Sequence, residues 1–593
     1  MDDIKKIEKL ENAVRFGQKD VIKVGIVLLF FIAVSVIAII FGYPVSSPAI
    51  LIFATVVGAY MALNIGANDV ANNVGPAVGS QAITLVGAII IASIAEASGA
   101  IIAGKDVVDT IKSGIISADS LKDSTTFIYV MIAALTSGAI WLHVATMLGA
   151  PVSTTHSLVG GVLGAGVMAG GLGVANWGVM GEIALSWVVS PCLGGVIAVS
   201  FLWIIKKSIT YQSDKVQAAK RVVPILIFIM TWCFSIYIVQ KTGVINISLT
   251  NAIIAGLIIA IVVFFISRPL IQKKADKLQN TKEDINELFT IPLICSAALL
   301  SFAHGANDVA NAIGPLAGIY DVISEIDLHT ADGKTIVPFW ILLVGGLGIS
   351  LGLALYGPRL IRTVGSEITD LDKMRAFCVA LSAAITVLIA SQMGLPVSST
   401  HIAIGAIFGV GFLREYLKKR YFDMQQRIIE AHKGRDEEVV KRFLDKFHRA
   451  SIKRKQEMLQ SLVRIAPKKD SKDSKDSVAK SKDSKDSSAK KAKKDSKDSK
   501  VATKIESKIL GKDSKSGVLK DSKAVLKDSG VDSELPALKK KDIKSLKKAY
   551  KQELVRRSAI NRIVASWIIT VPLSAIFGAV TYFLITRLNI ALT

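Results

Sequence analysis

Apolar residues in this chain come in runs rather than in alternation. The runs lie near 24–42, 49–65, 82–103, 127–148, 182–205, 222–240, 249–267, 290–303, 337–357, 376–393 and 561–587. Most approach or reach the ~20 residues that a helix needs to cross a bilayer. The pattern predicts an all-α polytopic membrane protein. The first run is long for a secretory signal and has no small-residue cleavage site, so it reads as a retained helix. Hydrophobic residues make up 51% of the 593, which agrees with many spans in one chain.

Polar motifs interrupt the runs, and they occur twice. "GANDVANNVGPAVGS" at 66–80 returns as "GANDVANAIGPLAG" at 305–318, an offset of 239. "GAPVSTTHSLVGGVLGAGV" at 149–167 returns as "GLPVSSTHIAIGAIFGVGF" at 394–412, an offset of 245. "SWVVSP" at 186–191 returns as "SWIITVP" at 566–572, where the offset has grown to about 380. An internal repeat with an insertion before its last helix accounts for all three. The sequence therefore divides into an N-terminal segment (1–23), a first membrane repeat (24–205) and a connecting loop with a linker helix (206–248). The second repeat begins at 249–412, is interrupted by an insert (413–560), and ends in a final helix (561–593).

Charge changes this picture in two ways. The net charge of +23 is concentrated in 413–560, where 44 Lys/Arg stand against 23 Asp/Glu, a net of +21. The membrane part is almost neutral. Within the insert, "KKDSKDSKDSVAKSKDSKDSSAKKAKKDSKDSK" (468–500) has too few apolar residues to fold, and flanking stretches such as 437–450 suit amphipathic helices. The tract reads as a solvated linker, with a polybasic patch against anionic lipid as the alternative. It has no aromatics on which bases could stack, so no nucleic-acid partner is expected.

Loop charge also sets orientation, because Lys/Arg accumulate on the cytoplasmic side. Loops 206–221 and 268–289 and the insert are basic, whereas 168–181, the first-repeat counterpart of the insert, has no Lys or Arg. Corresponding loops thus fall on opposite sides. The expectation is two inverted-topology repeats with paired half-helix or re-entrant motifs at the midplane. Stretches 127–167 and 376–412 either cross twice or fold back as hairpins. The N-terminus and 413–560 are placed in the cytoplasm and the C-terminus outside, in a multi-pass protein of the cell membrane.

An ionisable residue at the bilayer centre costs roughly 3 kcal/mol on insertion scales and marks function by default. Asp69 and Asp308 hold the same place in the two repeats, flanked by Asn68, Asn72, Asn307 and Asn311. Carboxylate and amide oxygens beside glycines suit a small hard cation; a buried polar knot that only glues helices is the lesser alternative, because the whole pattern is repeated. The second motif suits the opposite charge. Ser153, Thr154 and Thr155, and in the partner Ser398, Ser399 and Thr400, follow a proline at a helix start, where backbone N–H groups lack partners. Two such termini would cradle a tetrahedral oxyanion. Accessory candidates are Glu96, which has no acidic counterpart near Ile349, together with His156, His401, Gln81 and Gln392. The four cysteines lie singly, with neither metal spacing nor a disulfide framework, and no cofactor is implied.

Paired GANDVAN and PVS[ST]TH motifs in inverted halves resemble the inorganic phosphate transporter (PiT) family of membrane permeases. The resemblance covers roughly 49–205 and 290–590. It implies phosphate import by symport with Na+ or H+, through alternating access, in a homodimer. The Asp/Asn motifs would hold the coupling cations and the Ser/Thr half-helices the phosphate. Several members carry an intramembrane Glu before each PVS motif. Here those regions read "YVMIAALTSG" and "FCVALSAA", which leaves the number and identity of coupling ions open. A dianion entering against 100 mV meets about 4.6 kcal/mol, so at least two cations must accompany it to cancel that cost.

A sulfate permease on the same scaffold is the alternative, since a helix N-terminus accepts either oxyanion. A channel, or a scaffold protein working through its basic insert, fits less well. An enzyme fits least, because no nucleophile–base pair, metal signature or nucleotide loop is present. The topology is directly testable. Cysteines placed within 413–560 should resist an impermeant maleimide added to intact cells, while those within 168–181 should react. Labelling of the insert from outside would reject the inverted arrangement.

Overall fold

The computed structural model describes residues 2–116, 120–241, 248–325, 336–367, 371–431 and 557–587. The first half supplies α1 (Asp2–Phe41), α2 (Pro48–Asn68), α3 (Val70–Gly79), α4 (Leu85–Ala103), α5 (Ser124–Met147), α6 (Thr154–Gly170) and α7 (Trp177–Ile205). Next come α8 (Lys215–Lys241) and α9 (Leu249–Ala275). The second half continues with α10 (Lys282–Glu287), α11 (Thr290–Asp308), α12 (Ala310–Ile323), α13 (Phe339–Glu367), α14 (Lys373–Gln392), α15 (Ser399–Ala431) and α16 (Arg557–Arg587). Eleven segments among the described residues are long and apolar enough to cross a membrane, and each overlaps one apolar run of the sequence. The only β-pairing among the described residues is two isolated bridges.

The membrane part, 1–418 with 552–593, is one compact unit. Of a second unit, 419–551, only residues to Ala431 are described, so the KDS-rich tract and the 437–450 stretch lie outside the described residues. The expected boundary at 412 falls inside α15, and that at 561 falls inside α16. The outer helices turn apolar side chains outward, such as Ile254, Ile258, Val262 and Phe265 of α9. In water such a surface would be a liability; in lipid it is the required one.

Both polar repeats sit at interruptions of buried helices. Asp69 stands between α2 and α3, and Asp308 ends α11 just before α12. The chain stays helical through each break but tightens: Asn72 N bonds to Asp69 O at 3.0 Å, and Ala312 N to Val309 O at 2.9 Å. Helices α5 and α6 pack on each other as a hairpin whose two ends meet, since Asn176 N donates to Ile115 O at 3.0 Å. With 17 residues, α6 is about 25 Å long, short of the ~30 Å hydrocarbon core. Its first turn is buried in the protein interior. Matched caps start α5 and α14: Asp123 accepts from Thr126 N at 2.7 Å and Asp372 from Arg375 N at 3.0 Å. Outside the spans, the Thr126 backbone bond holds the Asp123 carboxyl below the usual carboxylate range.

The halves interlock rather than form two lobes. Helix α2 packs on α13 of the other half, and its counterpart α11 packs on α4. Helix α6 packs on α16, while Gly405 and Gly409 of α15 press against the backbone of Pro191 and Gly195 in α7. Two glycines make the α2–α13 and α4–α11 crossings close. A Cβ on Gly66 would overlap the Ile349 carbonyl oxygen, and one on Gly305 would overlap that of Glu96. Small residues at such crossings allow the backbone approach on which helix association in lipid relies. The equivalence also pairs Glu96 with Ile349 in space. Gly66→Ala and Gly305→Ala should therefore each lower the melting temperature of detergent-purified protein, overpacking of this kind costing about 1–3 kcal/mol. Gly25→Ala in α1, where a Cβ meets nothing within 4 Å, should leave it unchanged or slightly raised.

Candidate functional site

The Ser/Thr motifs start two helices inside the protein. Ser153 is the N-cap of α6, its Oγ accepting from His156 N at 3.2 Å; Ser398 Oγ accepts from His401 N at 3.3 Å at the start of α15. Proline and serine at these positions fix the helix entry, so both serines, expected among the anion ligands, serve first as caps. The hydroxyls that follow face the carboxylates. Asp69 accepts from Thr154 Oγ1 at 2.8 Å on Oδ2 and from Thr400 Oγ1 at 3.1 Å on Oδ1. One hydroxyl comes from each half of the chain. Asp308 Oδ2 accepts from Ser399 Oγ at 2.9 Å.

Amides complete the lattice. Asn72 Nδ2 donates to Thr400 Oγ1 at 2.8 Å, and Asn311 Nδ2 to Thr155 Oγ1 at 3.2 Å and Thr154 Oγ1 at 3.4 Å. Thr155 in turn donates to the Val397 carbonyl at 3.0 Å. Asn68 Nδ2 donates to Thr146 Oγ1 at 3.0 Å and Ala150 O at 3.2 Å; Asn307 repeats this with Ser391 Oγ at 2.9 Å and Leu395 O at 3.1 Å. Asn68 Oδ1 also accepts from Val152 N at 3.2 Å. Asn68, expected as a cation ligand, is thus engaged at both ends in holding the chain before α6. The two motif types, distinct in sequence, form one cluster in which none of the motif Asp, Asn, Ser and Thr residues is more than 2% exposed.

Four acceptors in this cluster have no donor: Asn72 Oδ1, Asn307 Oδ1, Asp308 Oδ1 and Asn311 Oδ1. Buried acceptors of this kind are normally satisfied. The ligating atoms of Asp69, Asp308 and His304 also lie within 4.8 Å of one another. Oxygen-rich and buried, the donor set suits a hard monovalent or alkaline-earth cation, and the adjoining helix starts add N–H groups suited to an anion.

Glu96 is buried in the same region. Its Oε2 lies 2.6 Å from His304 Nδ1 and its Oε1 accepts from Asn73 Nδ2 at 2.9 Å. His304 Nε2 lies 2.8 Å from Asp308 Oδ2, off the line of a straight hydrogen bond. His156 and His401 stack edge to face with centroids 4.4 Å apart, between Trp187 and Trp567, each at 3.8 Å from its histidine. They join α6 and α15 as a packed aromatic column. Gln81, in the turn after α3, and Gln392, at the end of α14, are exposed and stay outside the buried cluster. His304 and Asn73 were not singled out by the sequence. Their signal lay in the mismatches of the repeat, where Ile65 and Ala312 stand at the corresponding positions.

A family model described as the phosphate transporter family matches residues 65–456, which include all four polar motifs. A Helicobacter pylori protein provisionally named a phosphate permease is 47% identical over 586 residues, 98% of each chain, so the match runs through 413–560. A Thermococcus kodakarensis protein of the same provisional name is 40% identical over 61% of this chain and 89% of its own. Among solved structures, one titled the sodium-dependent phosphate transporter superposes with a TM-score of 0.58 at 38% identity, covering 62% of this chain and 90% of that one. The chain is a multi-pass membrane protein that belongs to the phosphate transporter family.

Proposed function

We propose that this protein imports inorganic phosphate by symport with Na+, through alternating access between inverted halves. The observation that carries the reading is the set of three donorless amide oxygens and one donorless carboxylate oxygen, buried with two carboxylates at the starts of two helices. Cations at Asp69, Asn72, Asn307, Asp308 and Asn311 would satisfy those oxygens. Phosphate would then meet the N–H groups of α6 and α15 and the hydroxyls of Thr155, Thr154, Ser399 and Thr400. Sodium is favoured over protons by the predominance of oxygen donors and by the sodium dependence named for the solved relative. A sulfate permease would need the same cradle, so competition by sulfate discriminates the two.

The inverted arrangement is supported by the exchanged contacts, α2 with α13 and α4 with α11, which are those of a two-fold relation. A hairpin that returns to its starting side adds no net crossing, so α2 and α11 would traverse in opposite directions. The cluster is closed to solvent, which makes opening on one side at a time a requirement for exchange.

Phosphate uptake into proteoliposomes, with sodium and pH gradients imposed separately, tests this reading. Uptake should follow an inward sodium gradient at constant pH, and sulfate should compete poorly. Asp69→Asn keeps the shape and removes the charge, so the sodium dependence should flatten. A hydrogen bond to a charged group contributes ~1.5–3 kcal/mol, so Thr155→Ala should raise the phosphate half-saturation roughly 10- to 150-fold. Its sodium half-saturation should stay within about threefold. Thr400→Ala, bonded to Asp69, should move both. Equal shifts of both ligands by Thr155→Ala would contradict this assignment.

A further inference from the structure

The two cation motifs are near-copies in sequence, yet their surroundings differ. Asp69 has each carboxylate oxygen bonded to a threonine hydroxyl. Asp308 has Oδ2 faced by Ser399 Oγ at 2.9 Å and His304 Nε2 at 2.8 Å, while Oδ1 has no partner. Behind His304 stands Glu96 at 2.6 Å, itself held by Asn73 at 2.9 Å. At the equivalent crossing Ile349 faces Gly66, with Ile65 in the place of His304 and Ala312 in that of Asn73. A polar chain of three residues has thus been built beside Asp308 only, in a place where its counterpart is apolar and equally well packed.

Packing does not require this chain. The α2–α13 crossing is as close with isoleucines as the α4–α11 crossing is with Glu96 and His304. A buried ion pair is also weak support for stability, and apolar replacement of both partners is often neutral. Its distinct effect is on geometry. With Oδ2 hydrogen-bonded by Ser399 and in contact with His304 Nε2, the Asp308 carboxylate cannot turn freely, and its Oδ1 is left without a donor, as are Asn307 Oδ1 and Asn311 Oδ1 of the same motif.

We infer that Glu96 and His304 are positioning residues that fix Asp308 and make the two cation sites unequal. The second site then binds through one pre-oriented carboxylate oxygen and two amide oxygens. The first lacks this device, its Asp69 being held by hydroxyls from both halves. Ordered loading follows, with the pre-oriented site filling at lower cation concentration. This inference rests on the cation–phosphate reading above and adds to it the identity of the residues that tune one site.

The test measures sodium dependence of phosphate uptake in proteoliposomes and 22Na binding to the purified full-length protein. Glu96→Ile with His304→Ile removes both partners of the pair together, as at the apolar crossing, and leaves Asn73 Nδ2 alone without its acceptor. It should stay folded by size exclusion, raise the half-saturating sodium concentration about tenfold and lower the cooperativity of the sodium curve. Phosphate half-saturation at saturating sodium should stay within about threefold, a split that general damage to the fold would not produce. Glu96→Gln is the conservative rescue: its amide oxygen still accepts from His304, and Asn73 can turn its own unpartnered Oδ1 toward the new amide. It should remain within about threefold of wild type. His304→Asn, too short to bridge both carboxylates, should match the double variant and serves if that variant does not fold. Superimposable sodium curves for wild type and the bridging-deficient variants would overturn the inference, as would loss in Glu96→Gln equal to that in the double variant. Wild-type liposomes lacking sodium-dependent uptake would instead remove the transport reading itself.

Discussion

Two carboxylates buried together are the constraint around which this structure is organised. Asp69 and Asp308 place ligating atoms within 4.8 Å, where two like charges repel by roughly 3.5 kcal/mol at an effective dielectric constant of about 20. Removal from water adds a further cost that only hydrogen bonds and counter-charges can offset. The Ser/Thr hydroxyls donate to the carboxylates, His304 lies against one of them, and two helix starts point into the same volume. An anion brought to this place meets the same repulsion unless cations arrive with it. On the proposed reading, coupling is the electrostatic consequence of that arrangement rather than a separate device.

The interlocked helices supply the precision. Asp69 needs Thr154 from its own half and Thr400 from the other, so the cluster exists only while α6 and α15 start beside each other. The stacked rings of Trp187, His156, His401 and Trp567 pack those two helix starts together. Gly66 and Gly305 bring the crossings close enough for side chains of opposite halves to touch. The site is therefore built by elements of both repeats together. A structural change that separates the halves would open the site and loosen its hydrogen bonds together.

Much of this was legible in the sequence. The apolar runs gave the spans, because length and composition suffice when the solvent is lipid. The duplicated GANDVAN and PVS motifs marked the polar residues, because buried charge is too costly to repeat by chance, but not that both motif types share one cluster. Other features were not legible. The run beginning at 24 did not reveal that α1 starts at Asp2, nor did the charge pattern reveal that α15 continues past 412, since helices carry on into water without an apolar signal. Gln81 and Gln392 are polar and near the motifs in sequence, but turn geometry leaves both exposed. His304 and Asn73 are not legible from the repeat, because identity between the copies marks shared positions and these two lie where the copies differ. Asn68 looked like its neighbours, and only the position of the chain before α6 shows its oxygen already engaged.

On the proposed reading, the anion site exists only when cations occupy the carboxylate cluster. Equilibrium binding of 32P-phosphate to purified protein, at fixed pH and ionic strength with potassium replaced stepwise by sodium, tests it most directly. The expected result is negligible binding in potassium and saturable binding that tightens with sodium, with phosphate tightening sodium binding by the same factor. Phosphate affinity that is identical across the whole sodium range would contradict the account.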